Sequence, residues 1–283
     1  MKLFYVAIFC ILVPLSSSTQ EMSGDRSQKQ GGVQEKPRSA DMGQMPGMNM
    51  NSNAPMNMAR ETFVEKILAH DTSSTSAQPN STPTPMLMKT FRAWTLMFHG
   101  NVFILDEQQT GPRGADKFFS TNWLMGMAQH KLGNGLFTIR NMLTIEPATV
   151  TDFVMELAVL YDLKLSENAL FSFYFAPVGD PAIGPTAYPH RASASEDPVA
   201  ALSHHQQDST HVAADVITGG LTYCILRIEA SGFHGREPDE FRWDIDQGKI
   251  DSWSARLTIQ PRRNWSGQYS YGRITRPKAV FPC

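Results

Sequence analysis

From Phe91 to Arg273 apolar and polar residues alternate with a period of two, in one short segment after another. That period puts successive side chains on opposite faces of a strand. The clearest case is Asp251–Arg273. Trp253, Ala255, Leu257 and Ile259 alternate with Ser252, Ser254, Arg256, Thr258 and Gln260. After Pro261-Arg262-Arg263-Asn264, Trp265, Gly267, Tyr269 and Tyr271 alternate with Ser266, Gln268, Ser270 and Gly272. The apolar face ends in tryptophans; the polar face is hydroxyls, amides and one arginine. A soluble sandwich would bury the apolar face against a second sheet. A membrane barrel would turn it to lipid, with aromatics at the interfaces and a polar interior.

The same rhythm predicts about nine strands. Trp94, Leu96, Phe98, Val102 and Ile104 alternate with Thr95, His99 and Asn101. Phe119, Trp123, Met125 and Met127 alternate with Ser120, Asn122, Gly126 and Ala128. Phe137, Ile139, Leu143 and Ile145 alternate with Thr138, Arg140, Thr144 and Glu146. Further strands follow at Phe153–Tyr161, with Met155, Leu157, Val159 and Tyr161 opposite Glu156, at Phe171–Phe175, at Ile217–Tyr223 and at Leu226–Ala230. Tight turns such as Gly133-Asn134-Gly135 alternate with longer polar connections, the longest running from Pro177 to about Ala214. Regular alternation of short and long connections marks an up-and-down membrane barrel, with short turns inside and long loops outside. The expected fold is all-β: an antiparallel up-and-down, outer-membrane-type barrel over 91–276, with an irregular tail at 277–283. An odd strand number does not close an ordinary bacterial barrel, so a truncated or incomplete barrel is expected.

Residues 1–19 read as a signal peptide: Lys2, the apolar run Leu3–Leu15, then Ser16-Ser17-Ser18-Thr19. No later stretch approaches the ~18 consecutive apolar residues of a spanning helix. Residues 20–90 are expected to be disordered, rich in Met, Ser and Pro, with one short amphipathic helix near 60–70 carried by Phe63, Val64, Ile67 and Leu68. His70 reads as solvated and Asp71–Pro85 as a linker. Charged residues are 18% and the formal net charge is −2, which excludes a nucleic-acid-binding surface. The expected partner is outer-membrane lipid. Cys224 and Cys283 remain after signal cleavage; an oxidising compartment would permit a disulfide between them, but their different contexts do not lead one to expect it.

Three groups of residues carry candidate chemistry. Met42, Met45, Met48, Met50, Met56 and Met58 lie at Met-x-Met and Met-x-x-Met spacings. Soft, neutral thioethers suit Cu(I) or Ag(I); otherwise this is plain linker. His204, His205, Asp208 and His211 fall within eight residues, and His204, Asp208 and His211 would offer a divalent-ion trio if the segment were helical, against a polar loop whose histidines bond to water and backbone. Arg140, Glu146, Glu156, Arg227, Glu229 and Arg256 fall on the polar faces, either as ion pairs filling a narrow interior or as the lining of a pore. His99 and His130 read as structural. Ser209, His211 and Asp208 are close in sequence, but there is no GxSxG elbow and a triad is a matter of geometry. No enzyme is expected, and no cofactor beyond the possible Cu(I).

The blocks GPRGADKFFSTNW, APVGDPAIGPTAYPHRASASEDPVAALSHHQQDSTH and SGFHGREPDEFRWDIDQGKIDSW resemble an uncharacterised family of exported bacterial proteins. Its members are taken to be outer-membrane barrels, often with Met/His-rich N-termini, and some are associated with heavy-metal resistance. The resemblance spans Thr62 to Arg273 and is diagnostic of no chemistry. The family pattern continues into further strands, and it carries a longer, His-containing connection where Thr149-Val150-Thr151-Asp152 stands here. Both departures bear on closure of the barrel. The resemblance implies an outer-membrane protein of transport or envelope type with a link to metal handling. The alternative reading is a soluble periplasmic barrel or sandwich that binds a metal or small ligand.

Overall fold

In a computed structural model the described residues are 4–12 and 62–277, the latter without 80, 83, 113, 115, 146–151, 201–207, 209, 239 and 240. They form one antiparallel sheet and one helix. The strands are β1 (Phe4–Leu12), β2 (Leu87–Phe91), β3 (Trp94–Gln108), β4 (Asp116–Leu132), β5 (Gly135–Leu143), β6 (Val154–Ser166), β7 (Ala169–Gly179), β8 (Ala213–Tyr223), β9 (Leu226–His234), β10 (Ser252–Arg262) and β11 (Trp265–Ile274). All nine expected strands are present as β3 to β11. β2 is an addition, pairing with the start of β3 in a region expected to be disordered. The backbone of β1, within the expected signal peptide, lies antiparallel on β11. From β2 to β11 each strand pairs with the next, and the sheet does not close: β1 and β2 are its edges.

Every second connection is two residues long, at 92–93, 133–134, 167–168, 224–225 and 263–264. The others are longer, up to residues 180–212 between β7 and β8. All the two-residue turns therefore share one rim of the sheet and all the longer connections the other. Gly133 supplies one of these reversals with φ of 60°, a conformation that costs glycine no steric clash.

Burial runs opposite to that of a water-soluble sheet. Along β10 Ser252, Ser254, Arg256, Thr258 and Gln260 are buried, while Trp253, Leu257 and Ile259 are exposed. In β7 Phe171, Phe173 and Phe175 are exposed, and Ser172 and Tyr174 are buried. β5 and β9 follow the same rule, with Arg140, Arg227 and Glu229 inward. The outer face carries Ile139, Val159, Phe173, Ile217, Ile228 and Leu257 in its middle. Trp253 and Phe118 stand near the long-loop rim and Trp265 and Tyr223 at the short-turn rim, all exposed.

Two strands depart from the expected facing. In β4 the apolar set Phe119, Trp123, Met125 and Met127 turns inward, and the small Gly126 and Ala128 face out. Trp123, Met125 and Met127 pack with Met97, Met142, Met155, Val178, Tyr188 and Val212 in one buried cluster. Met155 was expected to share a face with Leu157 but is fully buried. The β5–β6 register slips here, from Met142 opposite Glu156 to Leu143 opposite Val154. The extra residue is a bulge that re-aims one side chain.

The interior is filled by chain from outside the sheet. Helix α1 (Phe63–Leu68) starts with a capping box: the Glu65 amide donates to Thr62 Oγ1 and the Thr62 amide to Glu65 Oε2. Its Phe63, Val64 and Ile67 pack on Leu170, beside the short turn 167–168. Beyond α1, Asp71, Thr72, Ser73, Ser74, Thr75 and Gln78 are buried, which corrects the linker expectation. His70 is not solvated either: its Nε2 lies 2.6 Å from Asp162 Oδ2. From the other rim, residues 180–191 fold back inside instead of standing outward, with the amides of Ala182 and Gly184 donating to Ser231 Oγ and Ser270 Oγ.

Candidate functional site

Inward strand positions bring five of the six expected interior charges together as pairs; Glu146 lies outside the described residues. Arg140 Nη2 donates to Glu156 Oε1 at 2.6 Å. Arg256 Nε donates to Glu229 Oε2 at 2.9 Å. Arg227 Nε stands 3.1 Å from Glu229 Oε1 as a charge pair without hydrogen-bond geometry. Residues 72–75 bind these groups. Arg140 donates to the carbonyls of Thr72 and Ser74 at 2.8 and 2.6 Å, and the Ser74 amide donates to Glu156 Oε1 at 3.1 Å. Tyr174 Oη reaches the same oxygen at 2.8 Å, and Arg256 Nη2 reaches Thr75 Oγ1 at 3.0 Å. The charges thus grip the threaded segment. All five are buried and paired.

The long loop adds its own ties. Asp180, buried in this interior, has its carboxyl held well above the usual carboxylate range by burial, with the Arg256 charge opposing. Ser74 Oγ donates to the Asp180 carbonyl and Gln78 Nε2 to the His190 carbonyl.

The expected metal loop resolves differently. His204 and His205 lie outside the described residues, as do Ser209 and all six N-terminal methionines, Met42 to Met58. Asp208 is occupied: its carboxylate accepts from Arg191 and, at 3.1 Å, from the Tyr188 amide. His211 Nδ1 bonds the Asp208 carbonyl at 2.7 Å, and the segment ends in a turn, not a helix. Of the expected trio, Asp208 and His211 are thus engaged within the fold, and His204 lies outside the described residues. Among the described residues no group of three or more His, Cys, Asp and Glu is placed to hold a metal.

A second cluster was not legible as a site. His99 projects inward from β3 and His190 arrives from the long loop, their Nε2 atoms 3.4 Å apart. Both rings lean on Trp123, with centroids at 5.3 and 4.6 Å. Both residues are buried, and both Nδ1 atoms are without a hydrogen-bond partner. An unsatisfied buried polar atom costs about 1–3 kcal/mol. Burial and the neighbouring His99 hold His190 neutral, well below the usual imidazole range. By contrast, His130 bonds the Ala93 carbonyl at 3.0 Å and stacks on Trp94, as a structural histidine does.

No family model, curated protein or solved structure matches the chain.

Proposed function

We propose that the protein is an exported outer-membrane protein of envelope or transport type, seated in lipid by the outer face of its sheet. One observation carries the reading: large apolar side chains cover the outside while arginines and glutamates are sealed inside. In water that distribution is costly, since exposed apolar area stays hydrated and buried charges lose their solvation. In a bilayer the outer face needs no water, and strands satisfy their backbone groups with one another. β10, with 11 residues, has the ~9–11 residues of a tilted spanning strand, and aromatics at both rims match interfacial girdles. A sandwich would need a second sheet over the apolar face, and the described residues contain one sheet. Because ion pairs and residues 70–78 fill the interior, the resting state we propose is sealed and not an open pore.

Handling of Cu(I) by Met42–Met58 is a further part of the proposal, supported by thioether chemistry. No catalytic role is proposed. The first test is fractionation. The protein should stay in the membrane pellet after alkaline carbonate and need detergent for release. Folded samples should migrate differently from boiled ones in SDS gels. Release by carbonate alone would remove the membrane reading.

A further inference from the structure

We infer that His99, His190 and Met125 form an interior site for a soft monovalent cation of the Cu(I) type. The two imidazole Nε2 atoms face each other at 3.4 Å. That is beyond the 2.7–3.2 Å of a good hydrogen bond from nitrogen. It is close to the separation of two ligands on one three-coordinate ion: nitrogens roughly 2.0 Å from a trigonal centre stand roughly 3.5 Å apart. Whichever ring carries the proton, a mutual hydrogen bond leaves one buried donor and one buried acceptor unmet at the Nδ1 atoms. The rings therefore converge without satisfying each other.

The third ligand comes from register. Met125 is the direct cross-strand partner of His99, and both side chains point inward and are buried. Directly opposed residues have Cβ atoms about 4.5–5.5 Å apart, within reach of a thioether. Met97 and Met127, also paired across β3 and β4, extend the sulfur-rich wall. Two imidazoles and a thioether are neutral donors, and a neutral set in a dry interior favours an ion of single charge, since burying net charge is costly. Thioether sulfur narrows the choice to soft ions such as Cu(I) or Ag(I). A shallow pocket lined by Phe103, Trp123, Tyr188 and Pro189 shares Trp123, on which both rings lean.

The site is independent of the bilayer and distinct from the N-terminal methionines, so its test removes the latter. In the full chain Met42, Met45, Met48, Met50, Met56 and Met58 are replaced by leucine. Cu(I) is then titrated in competition with bathocuproine disulfonate. One equivalent should bind, and X-ray absorption should show two nitrogens and one sulfur around copper. His190→Phe should abolish that equivalent. Met125→Leu conserves volume and the fold. It should keep the nitrogens, lose the sulfur and weaken binding at least tenfold. Absence of the equivalent in the background lacking those six N-terminal methionines overturns the site. So does a copper shell without sulfur, or unchanged affinity in Met125→Leu, and none of these outcomes requires His190→Phe to fold.

Discussion

Leu257→Arg tests the facing of the sheet most directly. Leu257 sits at the centre of the 11-residue β10, on the outer face. Its cross-strand partners are Ile228 on β9 and Tyr269 on β11, both exposed and apolar. It is 41% exposed, so an arginine fits without steric conflict. If that face met water, the change would fall within about 0.5 kcal/mol, as surface substitutions do. Near a bilayer midplane an arginine on the lipid face costs about 2–4 kcal/mol. These outcomes are several-fold apart, and Leu257→Met should change little in either setting. The assay is equilibrium denaturation of protein refolded into lipid vesicles, followed by tryptophan fluorescence and gel mobility. A shift of less than about 0.5 kcal/mol for Leu257→Arg would refute the lipid-facing assignment. Thr258→Arg is not the mild counterpart that a hollow lumen would allow. Thr258 is buried directly opposite Arg227, so a second guanidinium there meets like charge in a filled space. Thr258→Val is the suitable inner-face control.

Glu229→Gln removes the shared anion between Arg227 and Arg256, and breaking a buried pair costs about 3–5 kcal/mol; denaturation should show that loss, and limited proteolysis should show residues 70–78 becoming cleavable, whereas a change below about 1 kcal/mol would separate the ion pairs from stability. Asp180→Asn should stabilise the fold more at pH 7 than at pH 5. A carboxyl with a raised folded pKa binds its proton more tightly when folded, so its presence weakens the fold increasingly as pH climbs above the ordinary value of 3.8. The gap between variant and native chain should widen by at most about 1.4 kcal/mol per pH unit, and a gap independent of pH would refute the assignment. With the native cysteines replaced by serine, a single cysteine at Ser193, exposed on the long-loop side, should react with an impermeant reagent in intact cells. A cysteine at Asn134 should react only after the outer membrane is opened, and the reverse pattern would invert the orientation. The peptide Asp41–Met58 should bind Cu(I) but not Zn(II), and a norleucine version binding equally well in a Cu(I)-chelator competition would return it to plain linker.

The strands were legible because period-two alternation is local and nine segments carried it. The ion pairs were legible because arginine and glutamate stood on polar faces. Which face turns inward was legible for most strands, from the polar-interior reading, but not for β4. Alternation separates two faces without orienting them, and β4 reversed because its Met and Trp side chains meet Tyr188 and Val212 from a loop far along the chain. Met155 escaped because a bulge shifts facing without altering composition. Residues 70–78 were misread for a related reason. A Ser/Thr-rich stretch lacks apolar surface to bury, yet here it is buried by giving Arg140 and Glu156 the backbone partners they need. Nothing local to that stretch encodes its partners. The pairing of His99 with His190 depends likewise on a loop folding inward across 91 residues of sequence.

The threaded segment also sets an order of assembly. Ser74 meets Glu156 across 82 residues of sequence, and Thr75 meets Arg256 across 181. Contacts of such separation cannot form until the intervening chain is in place, and high contact order makes them slow. Neighbouring strands can zip hairpin by hairpin from β2 onward, each closed by a two-residue turn. Residues 70–78, which precede β2 to β11 in the chain, are thus the last to be gripped. Until β10 docks, Arg256 is missing and the filler lacks its tie at Thr75. A half-built sheet should therefore hold its N-terminal stretch of chain loosely, and completion of β10 is the event that latches it.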